Sequence, residues 1–438
     1  MSRAFPARGK TGWVLHNLIS NYWTLAVLAV IAAAPFALGI LALDRAGLTE
    51  WIIAADLAPV SSSDTARDFA GVAAGINAAF ITLYFSITLI VLSMAASNLG
   101  VRLIDRWLEK PLVRISIAGL SFGLIVSLVA MLAIDPESPL EAVPLALLAV
   151  VFVLQTVNIA MLTVALHDLG RTMFIDRSIA SLQDDASQPP IDIRSCTYDR
   201  DSEWSVALRS DAEGYVEGLD LDAIARATRD LPGSIRVCSA PGQHVMKGDT
   251  LIAVAGAEFD GSCLKSAIPI DNFRSDGQGP VFRIRLLVEI GARALSPAVN
   301  DFYSALTCAD AIMVAMRGHE PCWTEEGEVP CWADDRRIQL PGQNFQGLFE
   351  DPLAAFRQAA CAYPSVSIRM IDNLRRLAEA SAEEGGSPGY VAYLRCQAQH
   401  FTDHALKRAE LDVDAQSIQA AMDRFGELGQ KRMEAKAA

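Results

Sequence analysis

Four long stretches without a single Asp, Glu, Lys or Arg dominate the first 170 residues: between Lys10 and Asp44, between Asp68 and Arg102, between Arg114 and Asp135, and between Glu141 and His167. Each can cross a hydrocarbon layer of roughly 30 Å, which takes about 20 helical residues. A chain with this pattern cannot be soluble throughout. It reads as four membrane helices followed by a large polar tail.

The charge is unevenly divided. Residues 1–170 carry nine basic and eleven acidic side chains, whereas residues 171–438 carry 28 and 40, so nearly all of the net −14 lies in the tail. Such a tail lacks the clustered Lys and Arg that neutralise phosphates, which excludes nucleic acid as a partner. Its length is enough for one or two domains with real cores. The basic N-terminus, with Arg3, Arg8 and Lys10, leads into an apolar run too long for a cleaved signal, so it reads as a retained first helix.

Lys and Arg also set the expected orientation. Arg3, Arg8 and Lys10 precede the first span, Arg102, Arg106, Lys110 and Arg114 separate the second from the third, and Arg171 and Arg177 follow the fourth. The other two loops are poor in basic residues, so both termini are expected inside, in a bacterial inner membrane. Trp13, Tyr22, Trp23, Trp51 and Trp107 suit interfacial anchoring. All eight cysteines, Cys196 to Cys396, lie in the tail, where a cytosolic setting would keep them reduced.

The fold class expected is membrane α-helical, with four transmembrane helices, plus a cytosolic α+β tail. Residues 1–20 form a cytosolic N-terminus, 21–170 the four-helix domain, 171–190 a connector, 191–280 a β-rich module and 281–438 a mainly helical domain. The first helix should run Asn21–Leu43 with a kink at Pro35, the third Ile115–Ile134 and the fourth Val143–Leu166. The second uncharged run exceeds what a bilayer needs and implies tilt or projection. In the module, short strands punctuated by Pro241-Gly242 and Lys247-Gly248-Asp249 suggest a barrel-sandwich-like architecture. Lys247 is not read as a prosthetic-group carrier, because it starts a turn instead of sitting at a hairpin tip. Further on, Val281–Leu295 reads as an amphipathic helix, Asn300 or Asp301 as the cap of the next, and Pro321–Pro341 as a hairpin or loop.

Several features could carry function. On the second span Gly71, Gly75, Ala79, Thr82, Ser86, Ser93 and Ser97 share one face, and on the third Ser116, Gly119, Gly123, Ser127 and Ala130 do the same. Small residues at this spacing let helices approach closely, and packing is the favoured reading over a hydroxyl-lined pore. Gln155 and Asn158, three apart on the fourth span, should bond within the bundle or line a wet cavity, with packing again favoured. No span holds an ionisable carboxylate, Lys or Arg, which argues against a proton-coupled transporter but leaves an uncoupled channel open. In the tail, Glu289 and Arg293 have ion-pair spacing, and Ser296, Asn300 and Asp301 shape a corner whose free backbone N–H groups could take an anion or simply be capped. His400 with His404, and Cys322 with Cys331 near His319, have no recognisable third ligand, so no metal is assigned. No catalytic constellation is evident, and neither an enzyme nor a cofactor is expected.

Three pieces together resemble the bacterial predicted membrane proteins of domain of unknown function 2254. They are Ser86–Ser97 with Asn98-Leu99-Gly100-Val101-Arg102-Leu103, the Gly214-Tyr215-Val216 and Pro241-Gly242 module, and Leu287–Ile290 with Arg293-Ala294-Leu295-Ser296-Pro297-Ala298-Val299-Asn300-Asp301. The resemblance runs from the first span to the helix after Asp301. Ala298, Val299 and Phe302 depart from the family form Ser-Pro-Gly-Ile-Asn-Asp-Pro. It implies a four-helix inner-membrane protein with a cytosolic tail and brings no activity. Two readings follow from the residues. One is a passive channel for ions or small solutes, homo-oligomeric and gated or assembled by the tail. The alternative is a non-transporting sensor or scaffold whose tail binds a ligand or protein. The charge-free bundle with its large tail tips the reading slightly toward the channel.

Overall fold

The structure, a computed structural model, describes residues 23–56, 60–99, 110–172, 175–189, 191–197, 203–275 and 278–437, with backbone alone for 95–99, 171–172, 175 and 427–437. The basic residues before the first span, together with Trp13, Tyr22, Arg102, Arg106 and Trp107, lie outside this set. The chain forms two compact units, one of membrane-length helices and one made by the tail.

Among the described residues, four helices are long and apolar enough to cross a membrane, Thr24–Ala54, Ser63–Met94, Pro111–Ala133 and Leu145–Gly170. The first differs from expectation. Helix α1 (Thr24–Leu43) does not give way to a loop at Asp44; it continues through a π-helical turn, Asp44–Leu48, into α2 (Thr49–Ala54). Pro35 lies inside α1, and the break in helical geometry falls at Gly47, whose φ of 110° a side chain would resist. Helix α3 (Ser63–Leu99) has 37 residues, about 55 Å at 1.5 Å per residue, far beyond the hydrocarbon thickness. Helices α4 (Pro111–Ala133) and α5 (Leu145–Thr172) complete the bundle. Two apolar clusters hold it: Ala33, Ala37, Ala70, Ala73, Val126 and Ala130 in one, Tyr84, Val113, Ile117, Leu120 and Leu162 in the other.

The supposed connector is α6 (Ile175–Ala186), an amphipathic helix that buries Ile179, Leu182 and Ala186 against tail helices. The β-module is not a barrel. One open sheet of six strands runs β1 (Ile193–Thr197), β8 (Glu328–Trp332), β9 (Ile338–Gln339), β4 (Ile235–Val237), β6 (Thr250–Ala255), β2 (Trp204–Arg209); a second of three runs β5 (His244–Val245), β3 (Gly214–Val216), β7 (Ile270–Asp271). All pairs are antiparallel except β4 with β9. The barrel-sandwich expectation fails because β8 and β9, from the Pro321–Pro341 stretch, extend the first sheet sideways. Val216, Leu219, Ile235, Val237, Ile252 and Ile338 fill the core, with α7 (Leu221–Ala227) packed against it.

The helical part holds α8 (Pro280–Ala294), α9 (Phe302–Gly318), α10 (Phe345–Ala360), α11 (Pro364–Glu383), α12 (Pro388–Leu406) and α13 (Asp412–Ala437). Helix α8 is buried along most of its length, flanked by α6, α9 and α10. Phe345, Phe349, Tyr390, Tyr393 and Trp323 form an aromatic cluster at the heart of the remainder.

Candidate functional site

The two small-residue stripes have opposite fates. On α4, Ser116, Gly123, Ser127 and Ala130 are buried, and the absent side chains at Gly119 and Gly123 make room for Asn158 of α5. Asn158 Nδ2 donates to Asn77 Oδ1 on α3 at 3.1 Å and to the Gly119 carbonyl at 3.2 Å. One amide thus ties three helices together, and Asn77 and Asn158 are each 1% exposed. Asn77 was missed in the sequence, although a lone amide within an uncharged run is a signal in itself. Gln155 is buried as well.

On α3, by contrast, Gly75, Ala79, Thr82, Ser86 and Ser93 all face out of the bundle. Thr82 Oγ1 donates to the Ala78 carbonyl at 3.0 Å and Ser86 Oγ to the Thr82 carbonyl at 2.8 Å, so the helix backbone satisfies both. The side chain of Ser97 lies outside the described set. Within one chain these hydroxyls therefore line no interior.

A second polar knot sits where the first span meets the start of the fourth. Asp44, 6% exposed, accepts from the backbone N–H of Ala146 at 2.9 Å and of Leu147 at 3.0 Å, and from Thr49 Oγ1 at 2.8 Å. A helix start leaves its first N–H groups without partners, and here a carboxylate from another helix takes two of them. This explains why the helix continues past an acid that had marked its end.

In the tail, the corner between α8 and α9 is a tight turn. The N–H groups of Val299 and Asn300 donate to the Ser296 carbonyl, and Asp301 N to the Ala294 carbonyl. Asn300 takes a left-handed φ of 50°, a conformation that asparagine tolerates better than most residues. Asp301 is the cap: Oδ1 accepts from Ser304 N at 3.2 Å and Oδ2 from Ser304 Oγ at 2.6 Å. An anion at this helix start would meet that carboxylate. Glu289 and Arg293 stand 4.0 Å apart, and Tyr363 donates its hydroxyl to the Leu295 carbonyl. Phe302 and Tyr303 stack beside the turn, exposed.

A family model described as Predicted membrane protein (DUF2254) matches residues 19–376, from the first span through most of α11. The chain belongs to this family. Among curated proteins it is similar to the uncharacterized protein Rv1290c of Mycobacterium tuberculosis and the uncharacterized protein Mb1321c of Mycobacterium bovis. Each is 26% identical over 268 residues, covering 55% of this chain and 50% of theirs. The chain thus aligns with about half the length of these relatives. No solved structure matches it.

The part matched by the DUF2254 model includes a buried acid that sequence reasoning passed over. Glu217, 2% exposed, accepts hydrogen bonds from Ser275 Oγ and, at 2.8 Å, from Gln278 Nε2. Burial raises its carboxyl above the ordinary range; the two hydrogen bonds oppose this and Asp271 adds to it. A group raised on folding stabilises fully below its unfolded value, and that contribution is lost as pH rises through the folded one. Glu217→Gln is accordingly expected to raise the melting temperature at neutral pH and to change it little near pH 4. Thermal melts of both proteins across that range check this, and parallel curves would refute it.

None of the eight cysteines is bridged. Burial pushes the Cys322 thiol up to about 11 and raises Cys331 too, which disfavours the thiolates a metal needs. His319 is fully buried, its Nδ1 3.0 Å from the Ala315 carbonyl, while His400 Nε2 lies 3.7 Å from Cys396 Sγ. Among the described residues no three His, Cys, Asp or Glu side chains converge as a metal site.

Proposed function

We propose that this membrane protein is a non-transporting sensor or scaffold, seated in a bacterial inner membrane with both termini inside, whose tail recognises a ligand or protein partner. The observation that carries this reading is the outward face of α3. Thr82 and Ser86 point away from the bundle and spend their hydrogen bonds on their own helix, while Asn77 and Asn158 bond to each other inside it. Among the described residues of one chain, the α3 hydroxyls line no interior. The tail, by contrast, carries a tight corner flanked by exposed Phe302 and Tyr303, which offer a contact surface.

The same observation leaves room for one other reading. Were several copies to gather with their α3 faces inward, Thr82, Ser86 and Ser93 would line a shared axis, making the channel a property of a homo-oligomer. Ion flux from liposomes holding the purified protein separates the two. The sensor or scaffold reading expects flux no higher than from empty liposomes across several salts and pH values. It also expects Ser93→Leu to melt like the parent, because the side chain would face lipid. Flux that Ser93→Leu abolishes would replace it with the oligomeric channel. No catalytic role is assigned.

A further inference from the structure

Gln155 is 7% exposed, and neither its Oε1 nor its Nε2 has a hydrogen-bond partner within the chain. Among the described residues of the bundle, no other side chain has both a donor and an acceptor atom buried without a partner. The residue lies ten positions into α5, about 15 Å along it, near the middle of a roughly 30 Å layer. There no bulk water can satisfy an amide, and an unpaired one is strongly disfavoured.

The orphaned atoms define what would fit. Oε1 is an acceptor and Nε2 a donor, so the missing partner must both donate and accept. A bare cation would satisfy Oε1 alone and leave Nε2 without an acceptor. An anion would satisfy Nε2 alone. Water does both and is small enough for a core otherwise filled by Leu, Val and Ala.

A second anchor stands at the same depth. Positions along the helices show α4 and α5 running antiparallel: Met161 lies by Gly119, and Asn158 reaches both Gly119 and Gly123. The next turn brings Ser127 of α4 level with Gln155. Ser127 is 1% exposed, and its hydroxyl donates to the Gly123 carbonyl at 2.7 Å, which leaves its oxygen able to accept.

We propose that Gln155 holds an ordered water inside the helical bundle, bonded to its Oε1 and Nε2 and to the Ser127 hydroxyl. The water would extend the Asn77–Asn158 link into a polar layer across α3, α4 and α5. This holds whether or not the protein conducts.

Magnetisation transfer from water to side-chain amides tests it, using full-length protein in nanodiscs with nitrogen-15 in its Gln and Asn side chains. The Gln155 signal, assigned by its loss in Gln155→Leu, is expected to show a cross-peak at the water frequency. Ser127→Ala should weaken that peak while the Asn158 signal stays in place. If Gln155→Leu fails to fold, Gln155→Met provides the assignment. A Gln155 amide that exchanges magnetisation only with protein protons would overturn the proposal. Rapid deuteration of the backbone amides around Val151 to Leu162 would also overturn it, since that marks a water-filled path and not a single bound molecule.

Discussion

Asp44→Ala is expected to destabilise the helical bundle by about 3–5 kcal/mol, since each donor left buried and unpaired costs about 1–3. Three donors converge on this carboxylate, the N–H groups of Ala146 and Leu147 and the Thr49 hydroxyl. The two backbone N–H groups would lose their partner in a place where Asp44 and Thr49 are almost fully covered, while Thr49 Oγ1 keeps the Val143 carbonyl at 3.2 Å. Asp44→Asn should recover only part of the loss. It keeps one accepting oxygen but turns an N–H group toward a backbone N–H. Thr49→Val is expected to cost less, about 1 kcal/mol, because Asp44 would still hold the start of α5. Melting of the purified variants in one detergent ranks them. An Asp44→Ala protein as stable as the parent would mean that water or lipid headgroups cap α5 instead.

That carboxylate also shows where sequence reading runs out. The uncharged runs made all four spans legible, because one ionised side chain in hydrocarbon is costly enough to mark an edge. Asp44 therefore reads as the end of the first helix in the sequence, whereas the helix runs on through it to Ala54. An acid can be buried at a helix start if the orphan N–H groups there need it, and only three-dimensional proximity reveals the pairing. The small-residue stripes meet a related limit, since one is buried and the other faces outward. Spacing identifies a face but not its direction, and in a membrane the outward surface is as apolar as the inward one, so Gly75 and Gly123 look alike in sequence. In the tail, Asp301 was readable as a cap because capping is local. The β-module was misjudged because β8 and β9 arrive from about 75 residues beyond β6, a long-range pairing that no local pattern encodes. Helix α6 was legible and overlooked: Ile175, Ile179, Leu182 and Ala186 have helical spacing.

The contrast between the two stripes yields the other large expected effect. A Cβ at Gly123 would come within 2.5 Å of Asn158 Nδ2 and 3.2 Å of Asn77 Nδ2. Gly123→Val must therefore push Asn158 aside, breaking its bonds to Asn77 and to the Gly119 carbonyl. Overpacking of this kind costs about 1–3 kcal/mol, and interhelical hydrogen bonds in membranes average about 0.6 kcal/mol each. A total loss of about 2–4 kcal/mol is expected, read as a lower melting temperature and a greater share of aggregated protein on size exclusion. Gly75→Val should do almost nothing, because no atom lies within 4 Å of the added carbon and the position faces outward. The pair also bears on function. If Gly75→Val proved as damaging as Gly123→Val, something would have to cover that face of α3 in the membrane, and another copy of the chain would be the natural candidate. The oligomeric channel would then gain the contact it lacks within a single chain. If Gly75→Val is silent while Gly123→Val is not, the hydroxyl face looks into lipid, and the tail is where function must be sought.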